Sequence, residues 1–173
     1  MSSIVISGDT SGAVTLTVPA TAGTNTVTIP ASTGTVMVSS NMPAFSYYAS
    51  ATQAISATTF TKVLFDTKVF DTNNNFASSR FTPTVAGYYQ CSWSLSSSIV
   101  QGNRFIPMLY KNGAEILRGT DVPTNTWSTT GSGLVYCNGT TDYLEVYIYF
   151  GNAANTGGSS VSTFFTGALV RTA

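Results

Sequence analysis

The chain has 173 residues, which suits one domain of ordinary size and a short extension. Seven basic and seven acidic residues cancel, and charged residues make up only 8% of the chain. The basic patch of a nucleic-acid-binding protein is therefore not present. A net charge near zero promotes association, so we expect a stable oligomer.

The N-terminal segment contains an eleven-residue repeat. Thr15–Thr24 (TLTVPATAGT) aligns with Thr26–Thr35 (TVTIPASTGT), and in each copy threonine alternates with an apolar residue before a proline. This alternation predicts a short strand that ends at the proline, because proline cannot donate to a ladder. A strand this short buries too little apolar surface by itself to offset the entropy lost on ordering, so it must stack on neighbouring strands. Because one chain has only two copies, these neighbours are expected to come largely from other chains.

We therefore expect residues 1–40 to form a three-chain stem that assembles the trimer and attaches it. The apolar residues expected along its shared axis are Leu16, Val18, Val27 and Ile29. A flexible Thr/Gly linker is the alternative, although a linker requires no alternating valine, leucine and isoleucine.

Residues 8–40, GDTSGAVTLTVPATAGTNTVTIPASTGTVMVSS, resemble the Thr-rich segments of tail fibres and other structural proteins of tailed bacteriophages. The resemblance implies a virion protein that is assembled in the host cytoplasm and held by other virion proteins through residues 1–40. Neither a secretory signal nor a membrane span is predicted, since no basic start and no long apolar stretch are found. The segment does not distinguish tail from capsid.

Residues 41–173 are predicted to form an all-β domain, because short alternating runs separated by Gly, Asn, Asp and Ser replace any helical period. The run GYYQCSWSL directs four residues to the core, and DYLEVYIYF directs four more. These inward residues are Tyr89, Cys91, Trp93 and Leu95, then Leu144, Val146, Ile148 and Phe150. KNG predicts a two-residue hairpin. Cys91 and Cys137 are expected to be buried thiols.

The opposite face of the second run carries Tyr143, Glu145, Tyr147 and Tyr149. Three tyrosines and one carboxylate are not ordinarily left in water on one strand. Either a loop of the same chain or another subunit is expected to cover this face.

The C-terminal domain, residues 41–173, resembles the complement globular-head domain, a jelly roll of the tumour-necrosis-factor-like superfamily. The motif residues occur in the family's order over about 130 residues, although four residues instead of six separate the last two phenylalanines and a cysteine replaces a phenylalanine. They are Phe65, Asp71, Phe76, Phe81, Gly87, Tyr89, Cys91 and Trp93. The resemblance implies a jelly-roll head that forms homotrimers through strand faces, with Tyr143, Tyr147 and Tyr149 as candidate contacts.

No catalytic residue is predicted. Histidine is absent, which removes the commonest general base and metal ligand, and no nucleophile or phosphate-loop motif is found. Four aspartates are of a residue type that binds calcium, but no loop has the required ligand spacing. They are Asp66, Asp71, Asp121 and Asp142. We expect no enzyme activity, metal or cofactor.

Trp127 lies in PTNTWSTTGSG, where its neighbours cannot build a core around it. It either folds onto the sandwich or remains exposed, where it would stack on a sugar ring or pack against a receptor. Trp127 and Asn125 are the candidate receptor-binding residues. The sequence thus favours a trimeric tail fibre whose head contacts a bacterial polysaccharide or protein. The alternatives are a capsid fibre or decoration protein and a free lectin-like protein.

Overall fold

The computed structural model describes residues 3–28, 31, 33–34, 36–97, 104–123 and 127–173. The chain divides into two compact units, residues 1–34 and residues 35–173, and we call the second unit the head. Among the described residues, no helix is long and apolar enough to cross a membrane.

The N-terminal unit contains one antiparallel hairpin. Strand β1 (Ser3–Ser7) pairs with β2 (Ala13–Thr17), so that Ile4 lies opposite Leu16. Gly12 has φ +78°, which allows the tight return before β2. All ten strand residues are exposed. A two-stranded hairpin of this kind is marginally stable in water by itself.

The hairpin gives the first copy of the repeat a partner within its own chain, and the three-chain stem stays a prediction. The first copy forms a strand, but its partner is β1 of the same chain, because a short connection closes at lower entropic cost than a distant one. The second copy forms no strand over the described residues Thr26–Thr28, and Ile29 lies outside the described residues. The described part of this copy therefore has no ladder partner within the chain.

The head begins with a 3-10 helix at Ser39–Asn41, which is followed by strands throughout. The strands are β3 (Ala44–Tyr48), β4 (Ala54–Ile55), β5 (Thr61–Lys62), β6 (Thr67–Asp71), β7 (Phe76–Ala77), β8 (Arg80–Phe81), β9 (Gly87–Ser96), β10 (Arg104–Lys111), β11 (Ala114–Arg118), β12 (Val122–Pro123), β13 (Ser128–Cys137), β14 (Leu144–Phe150), β15 (Ala154–Asn155) and β16 (Phe164–Thr172).

Two antiparallel sheets pack face to face in the head. The first, which we call the front sheet, has the strand order β13-β9-β16-β3-β6. The second, the back sheet, has the order β11-β10-β14-β8-β7, with β12 added to β10 and β5 added to β14. Because neighbours in each sheet are mostly distant in sequence, the connections cross between the sheets, as they do in a jelly roll.

The core lies between the sheets and is rich in aromatic side chains. Phe45 sits at its centre, with its ring centroid 4.1 Å from that of Phe81 and 4.9 Å from that of Phe165. All eight residues predicted to face inward from β9 and β14 are buried, so that prediction is confirmed. The core residues belong to the head, which therefore has an apolar core of its own.

The predicted KNG hairpin turn is present, and a second turn precedes β14. Asn112 and Gly113 have φ +54° and +82° and connect β10 to β11 as a two-residue hairpin. In the turn before β14, the Asn138 side-chain oxygen accepts hydrogen bonds from three backbone amides, those of residues 140–142. Asp142 joins the two turns, because its Oδ1 accepts a hydrogen bond from Asn112 Nδ2 at 2.6 Å.

The two cysteines are buried free thiols, as the sequence predicts. Cys91 lies opposite Gly133 on the neighbouring strand, four residues away from Cys137. That spacing corresponds to about 13 Å along a strand, which is too far for a disulfide.

Most charged residues of the described chain form ion pairs. The pairs are Lys62–Glu145, Arg80–Glu145, Arg104–Asp121, Lys111–Asp142 and Arg118–Glu115. They involve five of the seven basic and four of the seven acidic residues of the sequence. Little unpaired charge therefore remains on the head.

Candidate binding site

Four strands of the front sheet meet at one end of the head. Ser96, at the end of β9, pairs with Ser128 at the start of β13, and Phe164, at the start of β16, pairs with Tyr48 at the end of β3. Ala44, where β3 begins, lies at the level of Gln90 on β9. Gln90 is six residues before Ser96, so the start of β3 is about 20 Å from this end at the usual strand rise. We call the end that carries Ser96 the distal end.

A cavity of about 390 Å³ opens at the distal end. Its volume lies within the range of ligand-binding pockets. The lining residues are small polar residues, glycines and one tryptophan, and most of the accessible lining surface is apolar. The lining residues are Thr52, Ser96, Ser97, Trp127, Ser128, Asn155, Thr156, Gly157, Gly158, Ser159 and Ser162.

Backbone hydrogen bonds fix the loop that forms one wall of this cavity. Gly157 N donates to Ser96 O at 2.8 Å, and Thr156 N donates to Gln53 O at 2.9 Å. A Cβ on Gly157 would lie 2.2 Å from Ser96 Oγ, so glycine is what allows the loop to approach β9. The wall is therefore held to β9 by main-chain contacts.

Trp127 stands at the edge of the cavity with 81% of its surface exposed. Its carbonyl accepts a hydrogen bond from Ser97 N at 3.0 Å, which fixes the backbone while the indole remains in solvent. Of the two alternatives for this residue, the structure therefore has the exposed one. Its role in binding stays a prediction, and Asn125 lies outside the described residues.

The outward face of β14 is covered mainly by groups of the same chain. Glu145 is buried, with its side chain 3% exposed, and its Oε1 accepts hydrogen bonds from Lys62 Nζ at 3.0 Å and Arg80 Nε at 2.9 Å. Burying a carboxylate requires such compensation. Of the two coverings left open by the sequence, this residue therefore has the one supplied by its own chain.

The three tyrosines on this face also have intrachain partners and are half-buried. The Arg80 guanidinium lies 3.8 Å from the Tyr143 ring centroid. Tyr147 stacks on Tyr110 at 4.1 Å, and Tyr149 packs against Phe60 at 5.1 Å. Desolvation and the nearby Glu145 raise the pKa of Tyr147. These contacts make a second subunit unnecessary for covering the tyrosines, and their place in a trimer contact stays a prediction.

The outward face of the front sheet is more exposed and more apolar than the outward face of β14. It is not among the contacts predicted from the sequence. Tyr88 and Tyr136 lie side by side with ring centroids 5.5 Å apart, and Leu134 is 55% exposed. Val170 and Phe70 add further exposed apolar surface on β16 and β6. The sequence signal for this face is that several strands of one sheet each carry an apolar residue at an outward position.

The aspartates considered as calcium ligands have other roles. Asp66 accepts hydrogen bonds from Ser50 N and Oγ, which lower its pKa, and Asp71 accepts the backbone N–H groups of residues 75 and 76. Asp121 pairs with Arg104. In the part of the chain that the structure describes, no group of three His, Cys, Asp or Glu residues is placed to hold a metal ion.

Known structures resemble the head along most of its length. Murine APRIL matches with a TM-score of 0.59 and 14% identity, covering 75% of this chain and 99% of that one. The globular domain of zebrafish complement 1qA protein matches with a TM-score of 0.55 and 19% identity, covering 76% and 98%.

The head has the tumour-necrosis-factor-like and complement-globular-head fold. PRD1 vertex protein P5 shares this jelly roll, with a TM-score of 0.51 and 16% identity, covering 76% of this chain and 98% of that one. No family model matches the sequence, and no curated protein matches it. The jelly-roll fold predicted from the sequence is confirmed.

Proposed function

We propose that the protein is a homotrimeric structural component of a bacteriophage particle, held by its N-terminal segment, with a head that contacts the host cell surface. The observation that carries this proposal is the combination of a jelly-roll head with a phage-like Thr-rich segment in one chain. A phage vertex protein shares the head's fold. The function is one of binding and assembly, without catalysis.

The N-terminal unit supplies the surface for docking. Leu16 and Val18 are more than half exposed, and Val27 is 90% exposed. Apolar side chains on a marginal hairpin gain stability by being buried against other chains. We therefore retain residues 1–40 as the segment that joins the trimer to other virion proteins.

The trimer contact is proposed on the outward face of the front sheet. Its apolar residues are 40–59% exposed, whereas Tyr143, Tyr147 and Tyr149 are already half-buried by their own chain. Large apolar patches on a folded domain mark interaction surfaces. Tyr88, Leu134 and Tyr136 are therefore the first residues to substitute.

The position on the particle divides the proposal into two candidates. A tail fibre is the first candidate, because residues 8–40 resemble segments of tail fibres, although such segments also occur in other virion proteins. The likeness of the head to a vertex protein favours a capsid fibre or decoration protein instead.

Assembly is tested by light scattering on the purified chain. The expected mass is about three times 18.2 kDa. Leu134→Lys should shift this mass toward the monomer, because it places a charge in an apolar contact. Tyr147→Ala is the matched control on the other sheet. A monomeric wild-type chain would remove the basis for the trimer, and dissociation by Tyr147→Ala alone would move the contact to the back sheet.

Attachment is tested by deleting residues 1–40 and measuring co-purification with particles. The head should remain folded, because all its buried core residues lie at or after Phe45, but it should no longer co-purify. Electron microscopy of labelled full-length protein on particles then separates tail from capsid. A truncated head that still co-purifies would show that the head docks and would reverse the proposed orientation.

A further inference from the structure

The distal cavity and Trp127 together have the chemistry of a carbohydrate site. A pyranose ring presents an apolar C–H face and a rim of hydroxyl groups. The exposed indole of Trp127 offers a flat apolar surface for the first. The hydroxyls of Thr52, Ser128 and Ser162 and the Asn155 amide are at least partly exposed beside it, and they offer donors and acceptors for the rim of hydroxyl groups.

The charge of the site selects among carbohydrates. None of the described lining residues is charged. Segments 98–103 and 124–126, which adjoin β9 and β13 in the sequence, are uncharged as well. An acidic sugar or a phosphate would lose hydration on entering without gaining an ion pair. A neutral sugar does not incur that cost.

The site is preorganised on its polar side. Ser96 Oγ lies 2.8 Å from Thr163 Oγ1 and 3.0 Å from Ser162 Oγ, and Ser97 Oγ donates to Asn155 O at 2.9 Å. Side chains that are already held in place lose little conformational entropy on binding. The Trp127 indole is the part of the site that gains most from a ligand, because its apolar surface faces water.

We infer that the distal cavity binds a neutral sugar unit of a bacterial surface polysaccharide, with Trp127 stacked on the ring. The inference rests on the proposed function for the source of the sugar. A site of this size binds one or two rings weakly. Three copies in a trimer would raise the overall avidity without any new contact.

A larger cavity elsewhere on the head lacks this combination. It has a volume of about 580 Å³ and lies beside β13, and its lining includes Arg118, which is ion-paired with Glu115. Its lining aromatics are Trp93, which is buried, and Phe164, which is half-buried. It therefore has no exposed ring on which a sugar would stack.

The test uses the full-length chain on an array of immobilised neutral oligosaccharides, built from glucose, galactose, mannose, rhamnose and N-acetylglucosamine, beside glucuronate- and sialate-containing oligosaccharides. Wild-type protein should bind at least one neutral structure. Trp127→Ala should weaken that binding by about tenfold to thirtyfold, as truncation of a binding hot spot does. Ser128→Glu should weaken it as well, because it adds a charge to the lining.

Val161→Ser is the matched control, since Val161 is exposed in the loop before β16 and does not line the cavity. It should bind within about twofold of wild type. The bound neutral sugar should also reduce acrylamide quenching of tryptophan fluorescence. Trp93 is buried, so the quenching in the free protein reports on Trp127.

Three results would overturn the inference. They are binding to no neutral oligosaccharide, equal binding by wild type and Trp127→Ala, and a change of oligomeric state in Trp127→Ala, which would assign the indole to a subunit contact. If the array stays negative but Trp127→Ala abolishes attachment to host cells, the receptor is a protein. Wild-type protein that binds the array but is absent from particles would leave the inference standing and refute the proposed function.

Discussion

Substitution of Gly131 by alanine tests how β13 packs over the core. Gly131 lies opposite Trp93 in the pairing of β13 with β9. A Cβ built on Gly131 would lie 2.2 Å from Cζ2 and 2.4 Å from Cε2 of the indole. Trp93 is 1% exposed, and its rigid indole cannot bend away from a new Cβ as the end of a flexible side chain would. The backbone of β13 must therefore move away from the core.

The expected cost follows from two opposing terms. Alanine in a strand recovers about 0.5–1 kcal/mol of the backbone entropy that glycine loses on folding. Overpacking of a core costs about 1–3 kcal/mol. We expect Gly131→Ala to lower the free energy of unfolding by about 1–2 kcal/mol, which at a urea slope of roughly 2 kcal/mol/M lowers the midpoint by about 0.5–1 M.

Gly133→Ala is the matched control on the same strand. Its Cβ would lie 2.3 Å from Cδ1 of Leu117, the end of a flexible and half-buried side chain that can rotate away. We expect a change within about 0.5 kcal/mol. Urea unfolding followed by far-ultraviolet circular dichroism, at one protein concentration because oligomer stability depends on it, gives both values.

A double variant decides whether the indole is the cause. Trp93→Phe removes the ring atoms that Gly131→Ala would strike, so the two substitutions together should cost less than the sum of their separate effects. The reasoning is refuted if Gly133→Ala is as destabilising as Gly131→Ala. It is also refuted if the effects of Gly131→Ala and Trp93→Phe simply add.

Two further predictions concern ionisable groups. Burial raises the pKa of Cys91 and Cys137, that of Cys137 to about 11, so neither should react with a thiol reagent before unfolding, and native labelling would contradict their inward placement. Hydrogen bonds from Lys111, Asn112 and Asn138 lower the pKa of Asp142. Asp142 therefore contributes stability above its unfolded pKa, near 3.9, that is lost as pH falls through the folded value. Asp142→Asn should cost about 1 kcal/mol at pH 7 and little at pH 2 in urea titrations; an equal cost at both would contradict this.

Local alternation explains which parts of the head the sequence could predict. In β9 and β14 one face is buried, and burial on one face leaves a period of two in the sequence. Glu145 lies on the outward face of β14, as the period predicts, but the period does not predict that its side chain is buried. Its partners Arg80 and Lys62 lie 65 and 83 residues away, and only the order of strands in the back sheet brings them to it.

The N-terminal hairpin shows the same limit at short range. The repeat identified β2 as a strand, because threonine and apolar residues alternate there. It gave no reason to choose Ser3–Ser7 as its partner, since ladder pairing depends on the geometry of the connection as well as on the pattern.

Of the residues that line the distal cavity, the sequence pointed only to Trp127. Trp127 stood out because its polar neighbours in sequence could not enclose it. The cavity beside it is built from Ser96, Thr156 and Gly157, whose segments meet because the chain after β15 hydrogen-bonds to the end of β9. The sequence gives no sign of that neighbourhood, because serine, threonine and glycine are common in every loop of this chain.

The pairing of most charges within the chain sets how the protein meets another surface. A body whose positive and negative groups are matched at contact distance projects almost no electric field beyond a Debye length, about 8 Å at physiological ionic strength. Its encounters are therefore neither steered nor repelled over long range. If the head contacts a surface as proposed, the rate of that encounter should depend little on ionic strength.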